Sequence, residues 1–276
     1  MIRARKRFGQ NFLEPAWVDK VVRAIDPRSD DVFLEIGPGR GALTRPLAAR
    51  AKAVLAYEID RDLAAGLRAA AIPNVTIVEG DFLEASADPR SLIPDPWYGA
   101  GQIRAAGNLP YNVASPILFR LVAMAAGGTA LRDATVMLQR EVANRLLAET
   151  GTKDYGVLTV LIRHSASVER LLALPPGAFR PAPKVQSTLV RLTFHAPDPP
   201  VSDPEVFESI VQAVFTRRRK TLANALRAFD MTPATCKVSG TLQLVTNAGL
   251  DGTRRPETLS IAEFGRLADA CSAQSQ

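Results

Sequence analysis

Apolar residues recur at helical spacing from Glu14 to Ile25, where Trp17, Val18, Val21, Val22 and Ile25 share a face, so this stretch is predicted to be an amphipathic helix. The pattern then changes. Val32-Phe33-Leu34-Glu35-Ile36 is a short apolar run ending in Gly37-Pro38-Gly39-Arg40-Gly41-Ala42, and helical spacing resumes through Leu43, Leu47 and Ala51. A strand, a glycine turn and a helix form the first unit of a doubly wound sheet, in which the turn lets a ligand come close to the backbone. Residues 53–57 and 75–78 read as the second and third strands, 102–106 and 134–139 as the fourth and fifth. Helices are expected from Pro116 onward and over residues 141–149, and the Pro- and Gly-rich residues 86–101 read as a loop. Three later runs, 158–164, 167–172 and 188–194, are strand-like; in the last, Val190, Leu192 and Phe194 alternate with polar partners.

His195-Ala196-Pro197-Asp198-Pro199-Pro200 marks a boundary. Beyond it residues 205–229 carry apolar side chains at helical spacing (Val206, Ile210, Val214) and then turn basic, and shorter helical stretches follow to Ala270. The expectation is an α/β domain over residues 1–196 and a small all-α domain over 197–276. A chain of 276 residues is long for one domain, and 47% hydrophobic with 22% charged residues is ordinary for a globular protein with a sizeable core. No apolar run reaches the roughly 18 residues that a membrane span needs, and the basic first ten residues are not followed by an apolar signal segment. A cytoplasmic setting is therefore expected, with no membrane partner. Cys236 and Cys271 lie far apart with no histidine clustered beside them, which argues against zinc and reads as two reduced, bystander thiols.

The net charge of +6 is informative in its placement. Residues 1–10 hold four bases and no acid, residues 11–196 hold 21 bases against 19 acids, and residues 197–276 hold 9 against 9. Arg217-Arg218-Arg219-Lys220 forms a second basic focus within the neutral tail. A polyanion reaching both foci would account for them, since phosphate contacts supply most non-specific nucleic-acid affinity. A solvated charge run beside a frayed terminus accounts for the charge equally well. Phe8, Phe12 and Leu13, however, are poor choices for a frayed end, so the N-terminal segment is expected to fold back onto the protein.

Candidate chemistry gathers at the ends of the expected strands. Glu58, 21 positions after Gly37, is placed to accept hydrogen bonds from the hydroxyls of a ribose. Asp81, after the third strand, is placed to meet the exocyclic amine of an adenine. Either acid alone could be an ordinary loop carboxylate; together, at the ends of consecutive strands, they imply an adenosine-containing ligand. After the fourth strand, Gly107-Asn108-Leu109-Pro110-Tyr111-Asn112 combines an amide, a proline-fixed turn and an aromatic ring, a site for a flat amine-bearing ring. Four prolines between Pro175 and Lys184 stiffen a loop that could present Phe179, although Phe179 could equally be a core plug under it. The adenosine reading leaves a nicotinamide dinucleotide or S-adenosylmethionine. The second suits the pattern better, because Glu35 just before the glycine turn would repel a pyrophosphate more than a sulfonium amino acid, and neither His164 nor His195 sits near the expected cleft as an acid for hydride chemistry.

These segments resemble the rRNA adenine N6-dimethyltransferases, above all the bacterial branch acting on 16S rRNA. The resemblance rests on residues 7–13 (RFGQNFL), 35–44 (EIGPGRGALT), 58–60 (EID), Gly80-Asp81, 108–112 (NLPYN), 179–187 (FRPAPKVQS), 219–224 (RKTLAN) and 255–260 (RPETLS), and it spans nearly the whole chain. It implies a Rossmann-like S-adenosylmethionine-dependent methyltransferase sheet with a small all-α C-terminal domain. It also implies a cofactor site of Asn11, Leu13, Gly37, Glu58, Asp81 and Asn108, and a catalytic group of Asn108, Leu109, Pro110, Tyr111 and Phe179. The implied reaction transfers methyl groups to N6 of two adjacent adenosines near the 3′ end of 16S rRNA, in the small ribosomal subunit or its precursor, by a monomer without a metal. Asn108 and the Leu109 carbonyl would hold the amine hydrogens, Pro110 would fix the turn, and Tyr111 and Phe179 would stack on the flipped base. Competing expectations are the same chemistry on 23S rRNA, a non-catalytic ribosome-assembly factor and, more distantly, a dinucleotide-dependent oxidoreductase.

Overall fold

Five consecutive buried residues in β2 (Val32–Ile36) mark an inner strand of the molecule's main sheet, since a strand covered on both faces has no polar side to alternate with. The computed structural model describes residues 10–85, 103–128, 130–229, 231, 236, 238 and 240–272. Chain order before the central strand is β1 (Phe12–Leu13) and α1 (Pro15–Ile25); after it come α2 (Thr44–Ala48), β3 (Ala53–Glu58), α3 (Arg61–Ala69) and β4 (Val75–Glu79). The chain continues with β5 (Ile103–Asn108), α4 (Ala114–Ala126), β6 (Leu131–Gln139), α5 (Arg140–Leu146), α6 (Val157–Arg163), β7 (Ala166–Leu174), β8 (Phe179–Arg180) and β9 (Ser187–Phe194). The tail holds α7 (Pro204–Thr216), α8 (Leu222–Ala225), α9 (Thr241–Asn247) and α10 (Ile261–Ser272).

Seven strands form one sheet in the order β4-β3-β2-β5-β6-β9-β7. The first five run parallel, and β9 is antiparallel to β6. The order reverses between β2 and β5, because the chain first builds outward through β3 and β4 and then returns to the other side of β2. In an open α/β sheet the crevice at the carboxyl ends of two such strands is where ligands bind. Gly107 permits the close pairing there: an added Cβ would sit 2.6 Å from the Ile36 carbonyl oxygen.

The N-terminal segment does fold back, as far as it is described. β1 pairs antiparallel with β8, with Leu13 opposite Phe179, and the Glu14 amide donates to the Ala178 carbonyl at 2.9 Å. Residues 1–9, which carry the first basic focus, and the expected loop 86–101 lie outside the described residues. At its far end α1 is fastened by two arginines. Arg104 donates to the Ile25 and Asp26 carbonyls at 2.8 Å each, and Arg191 to the Ala24 carbonyl at 2.6 Å. Arg104 is itself buried in β5, where it meets its cross-strand partner Asp133 at 3.0 Å and Asp31 at 2.8 Å.

Compactness divides the chain into one unit of residues up to Ala143 plus Ser167–Phe194, and a second of Asn144–Ala166 plus everything from His195 on. The expected boundary near residue 196 thus has a counterpart at 194/195, but residues 144–166 group with the tail. The second unit is helical. Its core gathers Tyr155 and Val160 with Phe207, Ile210 and Val214 of α7, Leu244 of α9 and Phe264 and Leu267 of α10. The Tyr155 hydroxyl donates to the Leu259 carbonyl at 2.8 Å.

Three expectations are corrected. Residues 158–164 are not a strand but α6; its apolar run is too short for periodicity to decide, and the Gly156 amide donates to the Thr159 hydroxyl at 3.2 Å, half of a helix-start capping arrangement. The helical spacing read over 205–229 yields a helix only as far as Thr216, and the basic Arg217–Lys220 form a turn before α8. Cys236 and Cys271 are not separate thiols: α10 brings the two Cα atoms to 4.7 Å and the sulfurs are bonded at 2.05 Å.

Candidate active site

The glycine turn after β2 closes on the acid after β3. Gly39 adopts φ +60° and donates its amide to Glu58 Oε2 at 2.9 Å, while the Asp60 amide donates to Oε1 at 2.9 Å. A side chain on Gly39 would be strained by that φ and would press on the Phe12 ring at 3.1 Å. Glu58 is 4% exposed, and burial pushes its pKa up while the two amides pull it down. Both carboxylate oxygens are held by backbone amides and keep acceptor capacity for a further donor.

Two cavities flank this turn and share Gly37, Ile59 and Pro110 in their walls. The first, about 80 Å³, is bounded by Asn11 and Leu13 of the N-terminal segment, Glu35, Glu58 and the 108–111 turn. The second, about 290 Å³, is bounded by Asp81, Phe82, Tyr57 and the apolar Val113 and Ile117. Asp81 Oδ1 accepts the Leu83 amide at 2.8 Å, and Phe82 packs edge-on against Tyr57 with ring centroids 5.6 Å apart. A mostly apolar slot with one carboxylate suits a flat ring bearing an amine.

Glu35 is the most perturbed group of the site. It is 1% exposed, its Oε2 has no partner among the described residues, and burial pushes its pKa up to about 8, with Thr44 opposing and Glu58 adding to the rise. A buried carboxyl with one oxygen left without a partner at a cavity wall fits a ligand that brings a cation. Arg40 is the one basic residue among the described walls of either cavity, and its guanidinium lies 4.2 Å from the centre of the Phe12 ring. This donor set fits an amino-acid sulfonium joined to adenosine, and it does not fit a pyrophosphate.

Asn108 ends β5 and faces the same crevice. Its Nδ2 donates to the Asn11 carbonyl at 2.5 Å, which leaves Oδ1 as the acceptor turned to other partners. Leu109 is buried, and its amide donates to the Met137 carbonyl at 3.3 Å, pinning the turn to β6. Pro110 and Tyr111 line the first cavity, and the Tyr111 hydroxyl lies 2.7 Å from Ser187 Oγ at the start of β9.

The structure therefore brings together Asn11, Leu13, Gly37, Glu58, Asp81, Asn108, Leu109, Pro110 and Tyr111 around the two cavities. It does not bring Phe179 there. Pairing of β8 with β1 turns that ring inward, where it is 0% exposed among Leu13, Leu174, Ala178 and Leu189, and Arg180 points out instead. The exposed ring expected beside Tyr111 is thus a core plug under β1. Ile59, Phe82, Met137 and Ser187 are further contributors that sequence reasoning did not single out. Ile59 and Phe82 each directly follow an acid that was, so adjacency was the available signal.

A seven-stranded sheet with this switch point, glycine turn and acid pair defines a Rossmann-like methyltransferase. The chain matches the family described as ribosomal RNA adenine dimethylase over residues 1–266, and it belongs to that family, whose members depend on S-adenosylmethionine. It is 43% identical over 279 residues to ribosomal RNA small subunit methyltransferase A of Pseudomonas syringae pv. syringae, covering 98% of this chain and 95% of the other. It is 41% identical to the protein of that name from Acinetobacter baylyi, with coverage of 97% and 92%. Among solved structures, a dimethyladenosine transferase from Plasmodium falciparum superposes with a TM-score of 0.73 at 23% identity, covering 93% of this chain and 95% of that one. The 23S rRNA methyltransferase ErmE gives 0.65 at 28% identity, with 95% and 100% covered.

Proposed function

We propose that this enzyme transfers methyl groups from S-adenosylmethionine to N6 of two adjacent adenosines near the 3′ end of 16S rRNA, giving N6,N6-dimethyladenosine during small-subunit maturation. The observation that carries the reading is the Asn108 amide, held by the Asn11 carbonyl with its oxygen left as an acceptor beside a cavity walled by acids. An adenine amine is a poor nucleophile because its lone pair is delocalised into the ring. Asn108 Oδ1 and the Leu109 carbonyl accept hydrogen bonds from it and favour a more tetrahedral nitrogen, while Pro110 holds the turn. Each transfer forms the N–C bond as the S–C bond breaks, leaving S-adenosylhomocysteine, and the proton lost from nitrogen goes to solvent. Tyr111 stacks on the flipped base, offsetting the cost of unstacking it. Phe179 acts indirectly, by seating β1 and so Asn11.

The bound cofactor supplies an already activated methyl group. Asn11, Leu13 and Gly37 would enclose its amino-acid end near Glu35, Glu58 would accept from its ribose hydroxyls, and Asp81 would accept from its adenine amine. Residues that hold the base against the cofactor site would supply much of the rate by orientation. A second transfer to the same nitrogen needs space for the first methyl, so the two acceptors do not grip both hydrogens in every step. The same reading makes the protein a cytoplasmic monomer acting on the small subunit or its precursor, with exposed Arg217, Arg219 and Lys220 among its phosphate contacts.

Replacing Asn108 with alanine removes the acceptor without touching the core. Transfer of labelled methyl groups to unmethylated small subunits is expected to fall at least about a thousandfold, with the melting temperature within about 3 °C of the parent. Near-normal transfer by Asn108→Ala would remove this residue from the reaction.

A further inference from the structure

The turn that carries Tyr111 is short: the Leu109 amide pins its start to the Met137 carbonyl at 3.3 Å, and the Val113 amide donates to the Pro110 carbonyl at 3.1 Å, but neither bond reaches the Tyr111 side chain. A ring hung from such a turn would swing about χ1 between staggered positions. Its far end, however, is tied. The Tyr111 hydroxyl lies 2.7 Å from Ser187 Oγ, and Ser187 is 1% exposed on β9, opposite Gln139 of β6. The hydroxyl sits on the ring's long axis, so the bond does not stop the ring flipping about that axis. It stops the swing, and thereby fixes where the ring face stands along the wall of the first cavity.

We propose that Ser187 is a positioning residue for methyl transfer: it acts through the Tyr111 hydroxyl to hold the ring in the place where it receives the target base. The inference rests on the proposed stacking role of Tyr111 and adds a second side chain, 76 positions away in the chain, to it. It also gives a purpose to the hydroxyl of a residue for which a bare aromatic ring would suffice to stack. Burial raises the Tyr111 pKa and the serine bond counters it, so the phenol stays neutral and protonated near pH 7, and the tie does not switch with physiological pH.

The test is a double-mutant cycle on the full-length enzyme with unmethylated small subunits and labelled S-adenosylmethionine. Ser187→Ala and Tyr111→Phe each break the tie while keeping both backbones and the ring. Each is expected to lower kcat/KM for the subunit about tenfold, the size of one lost part-buried hydrogen bond, through a raised KM for the subunit. The KM for S-adenosylmethionine is expected to stay near the parent value, and the melting temperature to fall by no more than a few degrees, most in Tyr111→Phe, which leaves the buried Ser187 hydroxyl without this partner. Because both changes remove the same bond, the double variant should be no worse than either single one. Losses that multiply in the double variant, or a Ser187→Ala enzyme as active as the parent, would overturn the proposal. A parent enzyme that transfers no methyl groups to the subunit would instead refute the functional reading on which it rests.

Discussion

Phe179 and Glu35 are the two residues whose roles depend most on what surrounds them. In the sequence Phe179 stands in a proline-stiffened loop and could face outward or inward; the choice is made by Leu13, with which it is paired across β1 and β8. That contact joins positions 166 apart in the chain, so no local pattern contains it. Phe179→Ala is accordingly expected to behave as a large-to-small core substitution, costing about 3–5 kcal/mol in a urea unfolding curve. A ring used for stacking alone would leave that curve unmoved and lower only turnover. Glu35 was legible as an acid before a glycine turn, but its burial was not. Its pKa is raised from 4.5 to about 8, so between those values the folded protein keeps a proton that the unfolded chain has lost. Stability contributed by the neutral carboxyl is complete below the lower value and declines as pH rises toward the upper, by about 1.4 kcal/mol per unit. Urea curves of the cofactor-free protein are therefore expected to shift to lower midpoints between about pH 5 and about pH 8. In Glu35→Gln that part of the slope should vanish; an unchanged slope would place the titration elsewhere.

At the scale of elements, the strands β2 to β6 and the turns at their carboxyl ends were readable because each is a local event: an apolar run, then a glycine, an acid or an amide. The order in which they lie side by side, and so the crevice between β2 and β5, follows from parallel crossovers of a doubly wound sheet. What was not readable were pieces whose state is decided by distant partners. α6 has the composition of a strand and became a helix packed into the second unit's core. β1 and β8 are two residues each and exist only as a pair. Arg104 belongs to the same class. It reads as a charged interruption of β5, yet with Asp31, Asp133 and the last carbonyls of α1 it fastens that helix to the sheet. Burial works against its charge, and the two aspartates outweigh it, holding its pKa above the usual value. Arg104→Met would leave two buried carboxylates short of a partner, although Arg132 still reaches Asp133 at 2.9 Å and the Arg28 amide still donates to Asp31 at 2.8 Å. A loss of about 3 kcal/mol is expected in the same urea assay. A loss below about 1 kcal/mol would mean that the cluster is ornamental.

At the scale of the whole molecule, the α/β unit brings together the cofactor cavities and the Asn108 turn, while the helical unit carries the exposed bases of the 217–220 turn. Family membership defines an S-adenosylmethionine-dependent enzyme of ribosomal RNA adenine dimethylation. The claim most worth testing is the choice of RNA and of base. The direct measurement is to incubate the purified protein with unmethylated small subunits and labelled S-adenosylmethionine, and then to map every modified nucleotide. The account predicts label as N6,N6-dimethyladenosine at two adjacent adenosines near the 3′ end of 16S rRNA, and none on large subunits. Label confined to 23S rRNA, or on any atom other than an adenine N6, would contradict it.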